Sequence, residues 1–93
     1  MKQGGAVLEL GDLMGRAKQQ LADLTGLKPV GVIQAFKDDQ GWHVDLEMLE
    51  MSRIPSTTDL LGDYEVLLDD DGRLLRFERR GTRMRGETTR VSS

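Results

Sequence analysis

The 93-residue chain is predicted to fold as one α+β domain, with a single N-terminal helix packed on a four-stranded antiparallel meander. Three observations predict this. Apolar residues recur at helical spacing between Leu10 and Leu24. From Val30 onward the spacing switches to a period of two, the signature of half-buried strands. The segments Asp38–Gly41 and Asp69–Gly72 are turns too short to carry a crossover helix, so the strands they join must be antiparallel. One helix followed by four strands gives a cystatin-like α-β-β-β-β order, with the helix covering one face of the sheet.

Each element has a local cause. Leu10, Leu13, Met14, Ala17, Leu21 and Leu24 form one apolar stripe, while Arg16, Lys18, Gln19, Gln20 and Asp23 fall on the wet side. Asp12 is the expected N-cap, and Thr25-Gly26 the expected stop, because glycine accepts the left-handed conformation that ends a helix. Val30–Lys37 reads as the first strand, with Val32 and Phe36 on one face and Ile33 and Ala35 on the other. Trp42, Val44, Leu46 and Met48 alternate with polar residues in the second, and the lapse at Met48-Leu49 predicts a bulge. Tyr64, Val66 and Leu68 mark the third strand, and Leu75, Phe77 and Arg79 the fourth. Between strands two and three, Pro55 stops the chain from pairing, and Ser56-Thr57-Thr58-Asp59 fits a capping box opening a single helical turn. The expected organisation is a flexible start over 1–9, the domain over 10–81 and a flexible arginine-rich tail over 82–93.

Composition narrows the function. There is no cysteine and no asparagine, which removes disulfides, thiolate metal sites and N-glycosylation. No apolar run approaches the roughly 18 residues of a membrane span, and no signal-peptide core is evident, so a cytoplasmic protein without membrane contact is expected. Charge is divided. Residues 1–72 carry 6 basic and 14 acidic residues, whereas residues 73–93 carry 7 arginines and 2 glutamates. Such a division points to an interaction surface.

Residue types that would perform chemistry are scattered. His43 is the only imidazole and is expected to be a solvated strand residue, and neither Ser52 nor Ser56 sits in a nucleophile turn. Asp69, Asp71, Gly72 and Glu78 match part of a calcium loop, but its first place is Leu67 and strands flank it. Glu47 and Glu50 are expected on opposite sides of their strand, which separates a two-carboxylate site. Phosphate-binding glycine motifs are absent. No catalytic, metal or cofactor residue is therefore assigned. Arginines 73, 76, 79, 80, 83, 85 and 90 suit phosphates, yet the acidic body repels a duplex and no aromatic platform accompanies them. Guanidinium forks also match carboxylates on a partner protein.

Gly41-Trp42, the glutamates of the second strand, Arg53-Ile54-Pro55-x-Thr57-Thr58-Asp59 and Tyr64-Glu65-Val66 before the acidic turn resemble the gas vesicle protein O family, over about residues 12–80. The resemblance implies a non-enzymatic accessory protein in forming the gas-filled shell. It would act as adaptor or chaperone among other gas vesicle proteins: the shell protein, other accessory proteins and an AAA-type ATPase. It implies no cofactor, and a place in the cytoplasm with or without attachment to the vesicle. A regulator of vesicle genes, touching nucleic acid through the arginine-rich end, is the competing expectation. Leu49, Met51 and Leu67, off the main alternation, are the expected apolar contacts, with Arg53, Thr57 and Thr58 on the connector and Arg76, Arg79, Arg80 and Arg83 beside them.

Overall fold

The computed structural model describes residues 9–86 and has the expected order: α1 (Leu10–Thr25), β1 (Lys28–Asp38), β2 (Gly41–Met51), a 3-10 turn (Ser56–Thr58), β3 (Leu60–Leu68) and β4 (Leu74–Met84). The expected flexible start, apart from Glu9, and the last seven residues of the expected tail lie outside the described residues.

Helix α1 begins two residues before the expected cap. Glu9, in extended conformation, precedes it without a side-chain cap bond, and Asp12 lies inside the first turn, where its charge favours the free amides. The stop is as expected: Gly26 takes a φ of 74° and its N–H donates to the Ala22 carbonyl at 2.8 Å. Leu13, Ala17 and Leu21 form the buried stripe, with Leu10 and Leu24 at its exposed ends. Gln20 is not a wet-side residue. Its Nε2 donates to the Gly72 carbonyl and its Oε1 accepts from the Leu74 N–H, each at 2.8 Å, tying the helix to the β3–β4 turn.

The four strands form one antiparallel sheet in the order β1-β2-β3-β4. Two corrections concern its strands. First, β1 is bulged at Val30 and Ile33, so Val32 and Ala35 pack toward the core while Ile33 and Phe36 are exposed. A bulge advances the side-chain phase by one residue, and simple alternation across Val32–Phe36 therefore fails. Second, β3 starts at Leu60 and not at Tyr64, because Asp59 is not a cap: its Oδ1 accepts the Arg53 N–H at 2.7 Å and closes the connector into a loop. The bulge expected near Met48-Leu49 falls at Glu50. Strand β4 is bulged at Leu75 and Arg80 and continues through Met84, so Thr82–Met84 of the expected tail belong to the sheet.

The core lies between α1 and one face of the sheet. Leu13, Ala17 and Leu21 meet Val44, Leu46 and Met48 of β2 and Tyr64, Val66 and Leu68 of β3. Trp42, Val32, Ala35 and Leu74 close its margins. At the β1–β2 turn, Gly41 has a φ of 138°, and a Cβ there would lie 2.3 Å from the Leu68 backbone carbonyl oxygen. Backbone cannot move aside as a side-chain tip can, so only glycine lets β2 and β3 approach there. Leu46→Ala is expected to cost about 2–5 kcal/mol by emptying the centre of this core. Gly41→Ala should destabilise by at least about 1–3 kcal/mol, through strain and clash combined. Urea unfolding of both variants checks this; unchanged midpoints would contradict the packing.

Candidate contact surface

Among the described residues no second helix covers the sheet face turned away from α1, yet Leu61 and Leu67 on it are buried. Arginine side chains from β4 provide the cover. Arg83 stands opposite Leu61 in the β3–β4 register and reaches across β3 to Glu47 on β2, with Nε–Oε2 at 2.6 Å and Nη2–Oε1 at 3.0 Å. Its aliphatic stem crosses Leu61, so one residue supplies both apolar cover and a forked ion pair. On the helix side, Arg79 makes the equivalent reach from β4 to β2, holding Glu50 at 2.8 and 2.9 Å. Glu50 Oε2 also accepts the Tyr64 hydroxyl at 2.6 Å. The carboxylate lies over Gly62, where any Cβ would come within 2.2 Å of it. Arg79, helped by Tyr64 and opposed by burial, holds the Glu50 carboxyl below the usual carboxylate range. Burial followed by the Glu50 bond raises the Tyr64 hydroxyl. Strand β3 is thus straddled by two arginines, one on each face. Because both arginines are half-exposed, water screens these forked pairs, and their geometry fixes register more than it adds stability.

On the open face, beside the Arg83–Glu47 pair, lies a shallow basin of about 250 Å³, lined in part by Leu61, Ile33, Glu47, Asp63, Arg80 and Arg83. Asp45 and Asp63 come together here from β2 and β3. Among the described residues, the buried Oδ1 atoms of both meet no donor from any other residue. Burial first, then the Asp63 carboxyl beside it, pushes Asp45 up to about 6, with Glu65 adding to the shift and Arg80 opposing it. Arg80 itself pairs with Glu65. Burial pushes Glu65 up, but Arg80 and His43 outweigh it and hold the group below its ordinary value.

His43 is not a solvated strand residue: its side chain is only 11% exposed. The ring stacks on Phe36 at 4.7 Å and 6°. Nδ1 sits 3.1 Å from Glu65 Oε2, and Nε2 approaches Asp38 Oδ2 at 2.9 Å without hydrogen-bond alignment. Glu47 faces the open side and Glu50 the helix side, the separation expected for them. Among the described residues no group of three or more His, Cys, Asp or Glu could hold a metal ion.

The connector forms a second feature at the far end of the sheet. Asp59, only 6% exposed, organises it. Its Oδ1 accepts from Arg53 N–H, its Oδ2 pairs with Arg85 Nε at 3.1 Å, and its carbonyl accepts Arg85 N–H at 2.8 Å. Thr58 donates its N–H and Oγ1–H to the Pro55 carbonyl at 2.9 and 2.8 Å, and Gly86 N–H donates to Thr57 O at 2.8 Å. The Ile54–Pro55 peptide is cis. This corner presents Ile54 at 99% exposure, beside Arg53 and the half-exposed Met51.

The expected contact residues are therefore divided. Met51, Arg53, Thr57 and Thr58 gather at the corner. Leu49 is half-buried on the open face opposite Lys28 and Leu61, and Leu67, expected as an exposed apolar contact, is buried between His43 and Arg76 of the neighbouring strands. Arg79, Arg80 and Arg83 bridge to carboxylates of their own sheet, and Arg76 reaches Gln40 at 3.3 Å. Sequence reasoning missed Asp59 as the organiser and Ile54 as the most exposed large apolar residue among those described. The available signal for Ile54 was an isoleucine preceding proline in an otherwise polar connector.

Fold and surface together define a small α+β domain with one helix-covered face, one face sealed by ion pairs and a stiff loop corner. A family model described as gas vesicle synthesis protein GvpO matches residues 2–89, and the chain belongs to that family. Gas vesicle protein O of a Streptomyces species is 39% identical over 71 residues, which is 76% of this chain and 56% of that protein. Gas vesicle protein O1 of Halobacterium salinarum is 33% identical over 69 residues, 74% of this chain and 58% of the relative. Gas vesicle protein O of Haloferax mediterranei is 28% identical over 74 residues, 78% and 53% respectively. The chain thus spans a little over half the length of these relatives. No solved structure matches it. No helix among the described residues is long and apolar enough to cross a membrane.

Two outcomes are expected from this surface. Because Asp45 titrates higher in the fold than in the unfolded chain, the folded state holds a proton the unfolded state releases. Its stability should therefore fall as pH rises from about 4 to about 6. Asp45→Asn should remove that slope and stabilise the protein above pH 6, on the order of 1–2 kcal/mol after solvent screening, in denaturant titrations across pH. Arg83→Met keeps the stem over Leu61 and should lose less than about 1 kcal/mol. Arg83→Ala uncovers Leu61 and should lose about 1–3 kcal/mol. Equal losses in thermal melts would show that the charge alone matters.

Proposed function

We propose that this chain works in gas vesicle formation as a non-enzymatic accessory protein, an adaptor or chaperone acting through contacts with other gas vesicle proteins. The shell protein, further accessory proteins and an AAA-type ATPase are its proposed partners, and the cytoplasm, free or at the vesicle, is its proposed location. Family membership supports the process. The observation that carries the contact role is where the molecule places its side chains. The acids and bases on the sheet are largely matched with one another, while Ile33, Phe36, Met51 and Ile54 remain exposed on a braced frame. Apolar surface held outside a small domain is suited to docking. Leu49, Met51, Arg53, Thr57, Thr58, Arg76, Arg79, Arg80 and Arg83 remain the proposed contact set.

The nucleic-acid reading loses support from the same geometry. Arg79, Arg80, Arg83 and Arg85 already face Glu50, Glu65, Glu47 and Asp59, and a phosphate would have to displace those carboxylates. Co-purification of the tagged chain from vesicle-forming cells is expected to enrich at least one of the proposed partners over a tag-only control. Failure to enrich any of them would count against the adaptor role. Tight, salt-sensitive binding of the intact chain to RNA or DNA at two salt concentrations would replace it with the regulator.

A further inference from the structure

We infer that the connector corner is a preformed docking knob: Ile54 enters an apolar pocket on a partner protein, and a carboxylate at the pocket rim receives Arg53. The inference rests on the contact role proposed above and assigns it a surface and a kind of partner.

Three observations converge on this corner. The first is exposure. Ile54 is 99% accessible, and Met51 and Met84, the cross-strand neighbours on either side of Leu60, are 49% and 40% accessible. A fully exposed isoleucine gains nothing from the fold, whereas burial in a pocket removes its whole side chain from water.

The second is rigidity. The loop carrying Ile54 is closed by Asp59 Oδ1 on Arg53 N–H, by Pro55 O on Thr58 and by the two backbone bonds from Arg85 and Gly86. Association therefore orders little new backbone, and more of the burial appears as affinity.

The third is charge. Arg79, Arg80, Arg83 and Arg85 in this half of the sheet each pair with a carboxylate. Arg53 has no carboxylate in ion-pair range among the described residues, and its Nε instead rests 3.4 Å from Met51 Sδ. A guanidinium lying along a thioether beside an exposed isoleucine is complementary to an apolar cleft with an acidic margin. Arginine is also enriched among the residues that dominate protein interfaces.

The test uses the full chain coexpressed in turn with the vesicle shell protein, each accessory protein and the ATPase. Ile54→Ser and Arg53→Glu are compared with the parent and with Leu75→Ser, an exposed apolar control on β4. Ile54→Ser should weaken capture of the true partner about tenfold or more, and Arg53→Glu by several-fold, while Leu75→Ser binds as the parent does. Raising salt should weaken the parent and recover part of the loss in Arg53→Glu, where screening relieves the like-charge repulsion. Circular dichroism identifies variants that remain folded. Folded Ile54→Ser and Arg53→Glu that both retain the partner would overturn the knob and leave the adaptor role standing. Failure of the parent to bind any of these proteins would overturn both. A parent that self-associates and becomes monomeric on Ile54→Ser would also overturn it, by assigning the corner to a second copy of this chain.

Discussion

Strand β3 depends on a clamp made by its two neighbours. Arg83 and Arg79 leave β4 on opposite faces, pass over β3 and close on Glu47 and Glu50 of β2. A sheet with one helix can bury only one face conventionally, and the other must be sealed by its own side chains. Here the sealing group is a long cationic stem whose charge is met two strands away. Leu61 is therefore buried without a second layer of described residues above it. Gly62, with no side chain of its own, leaves room for the Glu50 carboxylate on the helix side.

The same device limits what the arginine-rich end can do. Judged by composition, the end of the chain is a cationic arm facing an acidic body. In space, four of its arginines are interleaved with acids of β2, β3 and the connector. The charge division along the sequence is thus largely an intramolecular complementarity that fixes β4 in register. Some acids exceed the available bases. Asp45 and Asp63 are left together, and burial with the neighbouring carboxyl raises Asp45 to about 6. Asp38 is steadied from the opposite quarter: the Gln40 amide foremost, with His43, lowers its carboxyl despite some desolvation.

Legibility in the sequence followed the range of the forces. The helix, its Gly26 stop, the two tight turns and the inward residues of β2 depend on neighbours within a few positions, and all were readable. The β1 bulges were not. Val30, Ile33 and Phe36 are apolar yet exposed, so the residue type gave no phase marker. The connector was misread because Asp59 has two local uses, capping a turn or closing a loop on Arg53, and the choice is made by Arg85, 26 positions away. Glu47 and Glu50 showed only that they lie on opposite faces. Which arginine each would meet depends on the bulge at Arg80, which only the paired strands reveal.

The paired bulges in β1 and in β4 have a further consequence, because these are the two border strands of the sheet. A border strand with unbroken pairing geometry is an invitation to another chain, and ribbon growth from one copy to the next is the hazard. Breaking the hydrogen-bond rhythm twice on each border works against that growth, because an incoming strand finds no long regular row of donors and acceptors to copy.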